Sequence, residues 1–136
     1  MIYNIFISHA WKYSDDYIQV VNWLNEAQTQ GILNWKNYSV PEHDPLTDPN
    51  SYVGKQKLQG MLKNQIQPAS KVIILSGMYA SYSEWIDFEI DTAVDMKKYI
   101  IGLKPWGQER IPYKISINAD RMTGWNKKSL IDAVLC

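Results

Sequence analysis

Short apolar runs alternate along this chain with stretches of helical periodicity, so the pattern predicts strands and helices in turn. Ile2 to Ile7 is a run rich in Ile and aromatics, suited to a strand buried on both faces, and it ends abruptly at Ser8-His9-Ala10-Trp11. Ser14 is a candidate N-cap, Asp15 and Asp16 complement the helix dipole, and Tyr17, Val20, Val21, Leu24 and Ala27 form one stripe before Gly31. Ile32 to Tyr38 reads as a second strand, interrupted by Asn34, Lys36 and Asn37, and is expected at a sheet edge. Ser39 to Ser51 holds three prolines and no period, too long for a routine connection in so small a chain. A helix is predicted from about Lys55, with Leu58, Met61, Leu62 and Ile66 on one face and Pro68 as its stop. Lys71 to Ser76 is the cleanest strand, a β-branched run expected at the centre of the sheet. Ser81 and Glu84 have capping-box spacing and open a helix to about Lys97, followed by a buried strand from Tyr99 to Leu103 that stops at Pro105. Beyond Gly107 and Pro112 the pattern predicts a short strand near Arg121 to Trp125 and a helix from Ser129 to Val134.

Strands alternating with helices imply an α/β fold with a parallel sheet of five strands, covered on both faces. Such sheets bind ligands at the carboxyl ends of their strands. That rule selects Ser8 to Trp11, the loop from Ser39, the residues from Ser76 onward and the start of the helix near Glu84.

Composition narrows the class. One domain over residues 1–136 is expected, with 46% apolar residues to fill its core. Fourteen basic and fourteen acidic residues cancel, which disfavours a nucleic-acid partner. The single cysteine, Cys136, makes no internal disulfide, residues 1–7 lack the marks of a signal peptide, and no apolar run approaches the roughly 20 residues that span a bilayer. A soluble cytoplasmic protein with no membrane partner is the expectation.

One acid is out of place. With residues 84 to 97 wound at about 100° each, Glu84, Asp87, Asp91 and Asp95 share one arc of about 80°. Glu89 instead lies about 40° from Trp85, in an apolar arc with Phe88, Thr92, Met96, Ala93, Ile86, Ile90 and Val94. A carboxylate among apolar side chains must be hydrogen-bonded, paired, or left for a ligand. Common sites are missing. No Gly-x-Gly-x-x-Gly or Gly-Lys-Ser/Thr follows the first strand, and a phosphoacceptor receiver would need acids where Ser8-His9 and Ser76-Gly77 stand. His9, His43 and Asp44 lack the spacing of a metal set, so no metal is expected. From the residues alone, Glu89 is equally a buried acid bonded to backbone or tyrosine. Trp11, Trp35 and Trp85 read as packing aromatics, and Ser39 and Asp44 as turn residues.

Phe6-Ile7-Ser8-His9, the loop Ser39-Val40-Pro41-Glu42-His43-Asp44-Pro45, Ser83 with Trp85-x-x-x-Glu89-Ile90, and Trp125-Asn126 together resemble the TIR-like domain of the Thoeris anti-phage ThsB family. The resemblance runs over nearly the whole chain in order. It implies a flavodoxin-like three-layer fold, a long loop after the second strand, and a glutamate essential for consuming NAD. Carried over by motif, the glutamate is Glu89. Ser8, His9 and Ala10 would lie in the strand-one loop beside the nucleotide, Ser83 and Trp85 would flank the glutamate, and Trp11, Trp35, Ser39 and Asp44 complete the expected substrate-binding set. NAD would be substrate, with no resident cofactor. The loop 40–51 would mediate self-association, and a separate effector, ThsA, would read the product without binding this chain.

Nicotinamide leaves NAD as a neutral molecule from a cationic group, so no general acid is required. One carboxylate suffices to bond the ribose hydroxyls and stabilise oxocarbenium-like charge. If water is held back, an oxygen or the adenine of the substrate attacks and a cyclic ADP-ribose-type signal results. Two other readings stand beside this glycohydrolase or cyclase: a non-catalytic TIR-like adaptor with a structural Glu89, and a nucleoside deoxyribosyltransferase-like enzyme whose glutamate attacks covalently.

Overall fold

The structure, a computed structural model, describes residues 1–8, 15–39, 52–76, 79–104 and 111–136, with backbone alone for 52–55 and 79–83. Five strands form one wholly parallel sheet: β1 (Ile2–Ile7), β2 (Asn34–Asn37), β3 (Lys71–Leu75), β4 (Tyr99–Leu103) and β5 (Arg121–Thr123), in the order β2-β1-β3-β4-β5. The central place of β3 follows from its composition. Every residue from Lys71 to Leu75 is buried, as a strand covered on both faces requires. The interrupted second strand is shorter than the apolar pattern predicts and lies at the edge, where Asn34, Lys36 and Asn37 reach water.

Alternate strand residues feed two cores. Ile5, Ile7, Ile73, Leu75, Ile101 and Leu103 pack under α1 (Asp15–Thr29) and α5 (Lys127–Leu135), which contribute Val20, Leu24 and Ala27, and Leu130, Ile131 and Val134. Phe6, Val72, Ile74 and Ile100 pack under α2 (Tyr52–Ile66), α3 (Tyr79–Asp95) and a short α4 (Tyr113–Asn118), through Leu58, Leu62, Ile66, Ile86, Ile90, Ala93 and Ile115. The result is the three-layer, flavodoxin-like arrangement that the sequence implies.

Helix ends follow their caps. After α1 the chain turns at Gly31, with φ +75°, as the Ile32 N–H reaches the Ala27 carbonyl at 2.9 Å and the Gly31 N–H the Gln28 carbonyl at 3.0 Å. Lys97 takes the same left-handed place after α3, with φ 57°. Helix α5 begins two residues before Ser129, because Asn126 is its cap and accepts the Ser129 N–H at 2.8 Å.

Three expectations need correcting. Helix α3 starts at Tyr79, so Ser81 lies inside it and not at its N-cap. Helix α4 has no counterpart in the sequence reading, because six residues with Ile115 alone buried carry too little period to show. Val94 is 45% exposed, outside the buried arc of α3.

Candidate active site

The chain runs from β1 outward to β2 and then back past β1 to β3, so the switch point of this sheet lies between the carboxyl ends of β1 and β3. Ser8 occupies it. Its N–H donates to the Ile73 carbonyl at 2.8 Å, and its Oγ accepts the Leu75 N–H at 3.0 Å in a fully buried setting. A peptide pair that has run out of ladder is thus closed by a side chain. Ser8→Ala leaves the buried Leu75 N–H without that acceptor and is expected to cost about 1–3 kcal/mol. Urea denaturation reads it; an unchanged midpoint would make Ser8 a ligand contact only.

Ser39 anchors the neighbouring strand end. Its Oγ accepts the Ile7 N–H at 3.1 Å, its N–H donates to Asn37 Oδ1 at 2.9 Å, and Asn37 Nδ2 donates to the Tyr17 hydroxyl of α1 at 2.9 Å. Ser8 and Ser39 therefore stand side by side at the end of β1. Sequence reasoning named Ser39 but missed Asn37 and Tyr17, which only the β1–β2 register brings to it. Trp35 lies elsewhere. It is level with Tyr3, about 13 Å of strand short of the end of β1, and its indole N–H donates to Asn25 of α1 at 3.0 Å. That places it in the packing between β2 and α1, away from the carboxyl edge expected for it. His9, Ala10, Trp11 and Asp44 lie outside the described residues, and of Ser83 only the backbone, within α3, is described.

A cation–π contact and an ion pair mark the two flanks of α3. The Lys63 ammonium of α2 lies 5.9 Å from the Phe88 ring centre, and Lys114 of α4 pairs with Asp91 at 2.7 Å. On the helical wheel these contacts put α2 beyond Phe88 and α4 beyond Asp91. Glu89 and Thr92, between Phe88 and the sheet-facing Ala93 and Ile86, look into the seam between α2 and the sheet. Phe6 of β1 and Val72 and Ile74 of β3 form the floor of that core. The seam thus overlies the two strands of the switch point.

Glu89 is 4% exposed. Among the described residues no side chain or backbone N–H bonds its carboxyl, and burial pushes it well above the usual carboxylate range. Trp85, one turn earlier on the same arc, is half-buried against the same core. The early start of α3 alters one part of the sequence picture. Glu89 stands about 15 Å along the axis from Tyr79, in the body of the helix rather than near its start, and is beyond the reach of the N-terminal dipole. Among the described residues no three His, Cys, Asp or Glu side chains cluster as a metal site, and no helix is long and apolar enough to cross a membrane.

The family model described as Thoeris protein ThsB, TIR-like domain, matches residues 6–110, the span holding Ser8, Ser39, Trp85 and Glu89. The chain belongs to the ThsB TIR-like family. Its setting is therefore Thoeris anti-phage defence. No curated protein matches the sequence. Among solved structures, a conserved protein from Enterococcus faecalis V583 superposes with a TM-score of 0.65 at 12% identity, over 99% of this chain and 98% of the other. The Clostridium botulinum CMP N-glycosidase BcmB superposes with a TM-score of 0.58 at 15% identity, over 98% and 99%. At such identities the likeness is one of fold.

Proposed function

We propose that this ThsB-family domain cleaves the nicotinamide–ribose bond of NAD and forms an ADP-ribose-derived, cyclic product. The observation that carries the proposal is Glu89: a carboxyl 4% exposed, with no donor among the described residues, inside the span that the family model matches. An acid in that state costs stability and gains partners only when a ligand brings them. The nicotinamide ribose has both kinds of partner, hydroxyl donors and a positive charge that rises as the bond breaks. A nearby cation also draws the carboxyl toward its ionised form, so substrate binding arms the group. Glu89 then bonds the ribose and stabilises the oxocarbenium-like charge, while nicotinamide departs neutral with the bonding electron pair. That BcmB is named an N-glycosidase makes the fold compatible with this class of reaction. The test is incubation of concentrated protein with NAD and chromatography for free nicotinamide, with Glu89→Gln as the control.

The burial of Glu89 in the α2–α3 core also favours a second reading, a non-catalytic adaptor in which the acid only packs. The melting temperature of the same variant separates the two. In the enzymatic reading the loop 40–51, outside the described residues, contacts a second copy and completes the pocket. Specific activity is then expected to fall on dilution in step with the loss of assemblies, measured alongside mass in solution. Constant specific activity down to the monomer would show that one chain suffices.

A further inference from the structure

Thr92 is the second polar side chain buried on the Glu89 face of α3. It is 6% exposed, one turn after Glu89, and about 60° from it around the helix, which sets the two Cβ atoms about 5–6 Å apart. A helical threonine ordinarily returns its hydroxyl to a carbonyl four residues back, as Thr29 does to Asn25 at 3.0 Å in α1. Among the described residues the Thr92 hydroxyl has no partner, and neither has Glu89. Two buried polar groups without bonds, adjacent on one helix, both detract from stability. Their neighbours along the same stripe are apolar and less buried: Trp85 a turn before Glu89 and Met96 a turn after Thr92, each packed against the core. A polar pair between apolar walls has the composition of a ligand site.

We propose that Thr92 is a ligand-contact residue, its hydroxyl and the Glu89 carboxyl together binding the vicinal hydroxyls of a ribose. A carboxylate accepts from both hydroxyls of such a diol. The threonine hydroxyl donates to one sugar oxygen while accepting from a neighbour, so the donors and acceptors match. The proposal takes the identity of the nucleotide, NAD, from the functional reading above, but the binding itself does not require turnover.

The test compares Thr92→Val, which keeps the branched shape and removes the hydroxyl, with Thr92→Ser, which keeps the hydroxyl. Binding of NAD is measured by calorimetry in the Glu89→Gln background, to hold the ligand intact, and turnover in the otherwise wild-type chain. Thr92→Val is expected to weaken NAD binding and raise KM about 3–10-fold. Its melting temperature should be unchanged or higher, and Thr92→Ser should restore the affinity. Unchanged binding in Thr92→Val, or a lowered melting temperature with no rescue by serine, would overturn the proposal and make Thr92 a packing residue. If NAD binds and Thr92→Val weakens it while the wild type releases no nicotinamide, the contact stands and the enzymatic reading fails. If nicotinamide is released with Thr92→Val indistinguishable from wild type, the enzymatic reading stands and the contact fails. No binding of NAD to any variant, together with no nicotinamide release by the wild type, removes both.

Discussion

Glu89→Gln is expected to lower nicotinamide release from NAD by at least about 10²–10³-fold, because an amide cannot stabilise the positive charge that grows on the ribose. The same substitution is expected to leave the fold intact and to raise its stability at neutral pH. The sign follows from linkage. Burial holds the folded carboxyl well above its ordinary value of 4.5, so below that pH both folded and unfolded chains carry the proton and the difference vanishes. As pH rises from about 4.5 toward the folded value, the unfolded chain sheds its proton first and the wild type loses stability. Glutamine has no proton to lose. Melting temperatures at pH 4.5 and pH 8 should therefore show a gap in favour of the variant that opens with pH. Activity should follow the opposite slope. kcat/KM of the wild type reports the free enzyme and should rise with pH on a limb displaced above the usual carboxylate range. A variant that melts lower than wild type at both pH values would identify Glu89 as a bonded structural acid.

Ile73→Ala should give the largest loss of stability. Ile73 is fully buried in the central strand, between Ile7 of β1 and Ile101 of β4 on the sheet face that α1 and α5 cover. Alanine there leaves a cavity in a wall that cannot collapse, because the backbone on either side is held by ladder hydrogen bonds. The expected cost is about 2–5 kcal/mol, a large share of the roughly 5–15 kcal/mol that holds a domain together. The midpoint should fall by roughly 10–20 °C. Ile117→Ala serves as control, since that side chain is 57% exposed on α4 and should move the midpoint by under about 2 °C. Equal effects from the two would mean that β3 is not the centre of the core.

The sheet and its centre are legible in residue types alone. Val72 to Leu75, four apolar residues in a row, have no polar position to turn outward, so they belong in the middle; the strand through Asn34, Lys36 and Asn37 does, so it belongs at the edge. The burial of Glu89 is legible in the same way, because helical period is a local property and 40° from Trp85 is fixed once the helix forms. The start of α3 was less legible. Ser81 and Glu84 have the spacing of a cap, yet the helix forms from Tyr79, since propensity signals at a helix end are weak beside the contacts of the whole turn. The rest depends on contacts between elements distant in the chain. Ser8 and Ser39 read as ligand contacts, and the pairing of β1 with β2 and β3 makes each an acceptor for a backbone N–H at the end of the ladder. Trp35 read both as a packing aromatic and as a substrate contact, and its register opposite Tyr3 gives its indole to α1. Thr92 was visible in the apolar arc but had no meaning there. Whether a buried hydroxyl has a partner depends on atoms brought in from other elements, and no period along the chain records them.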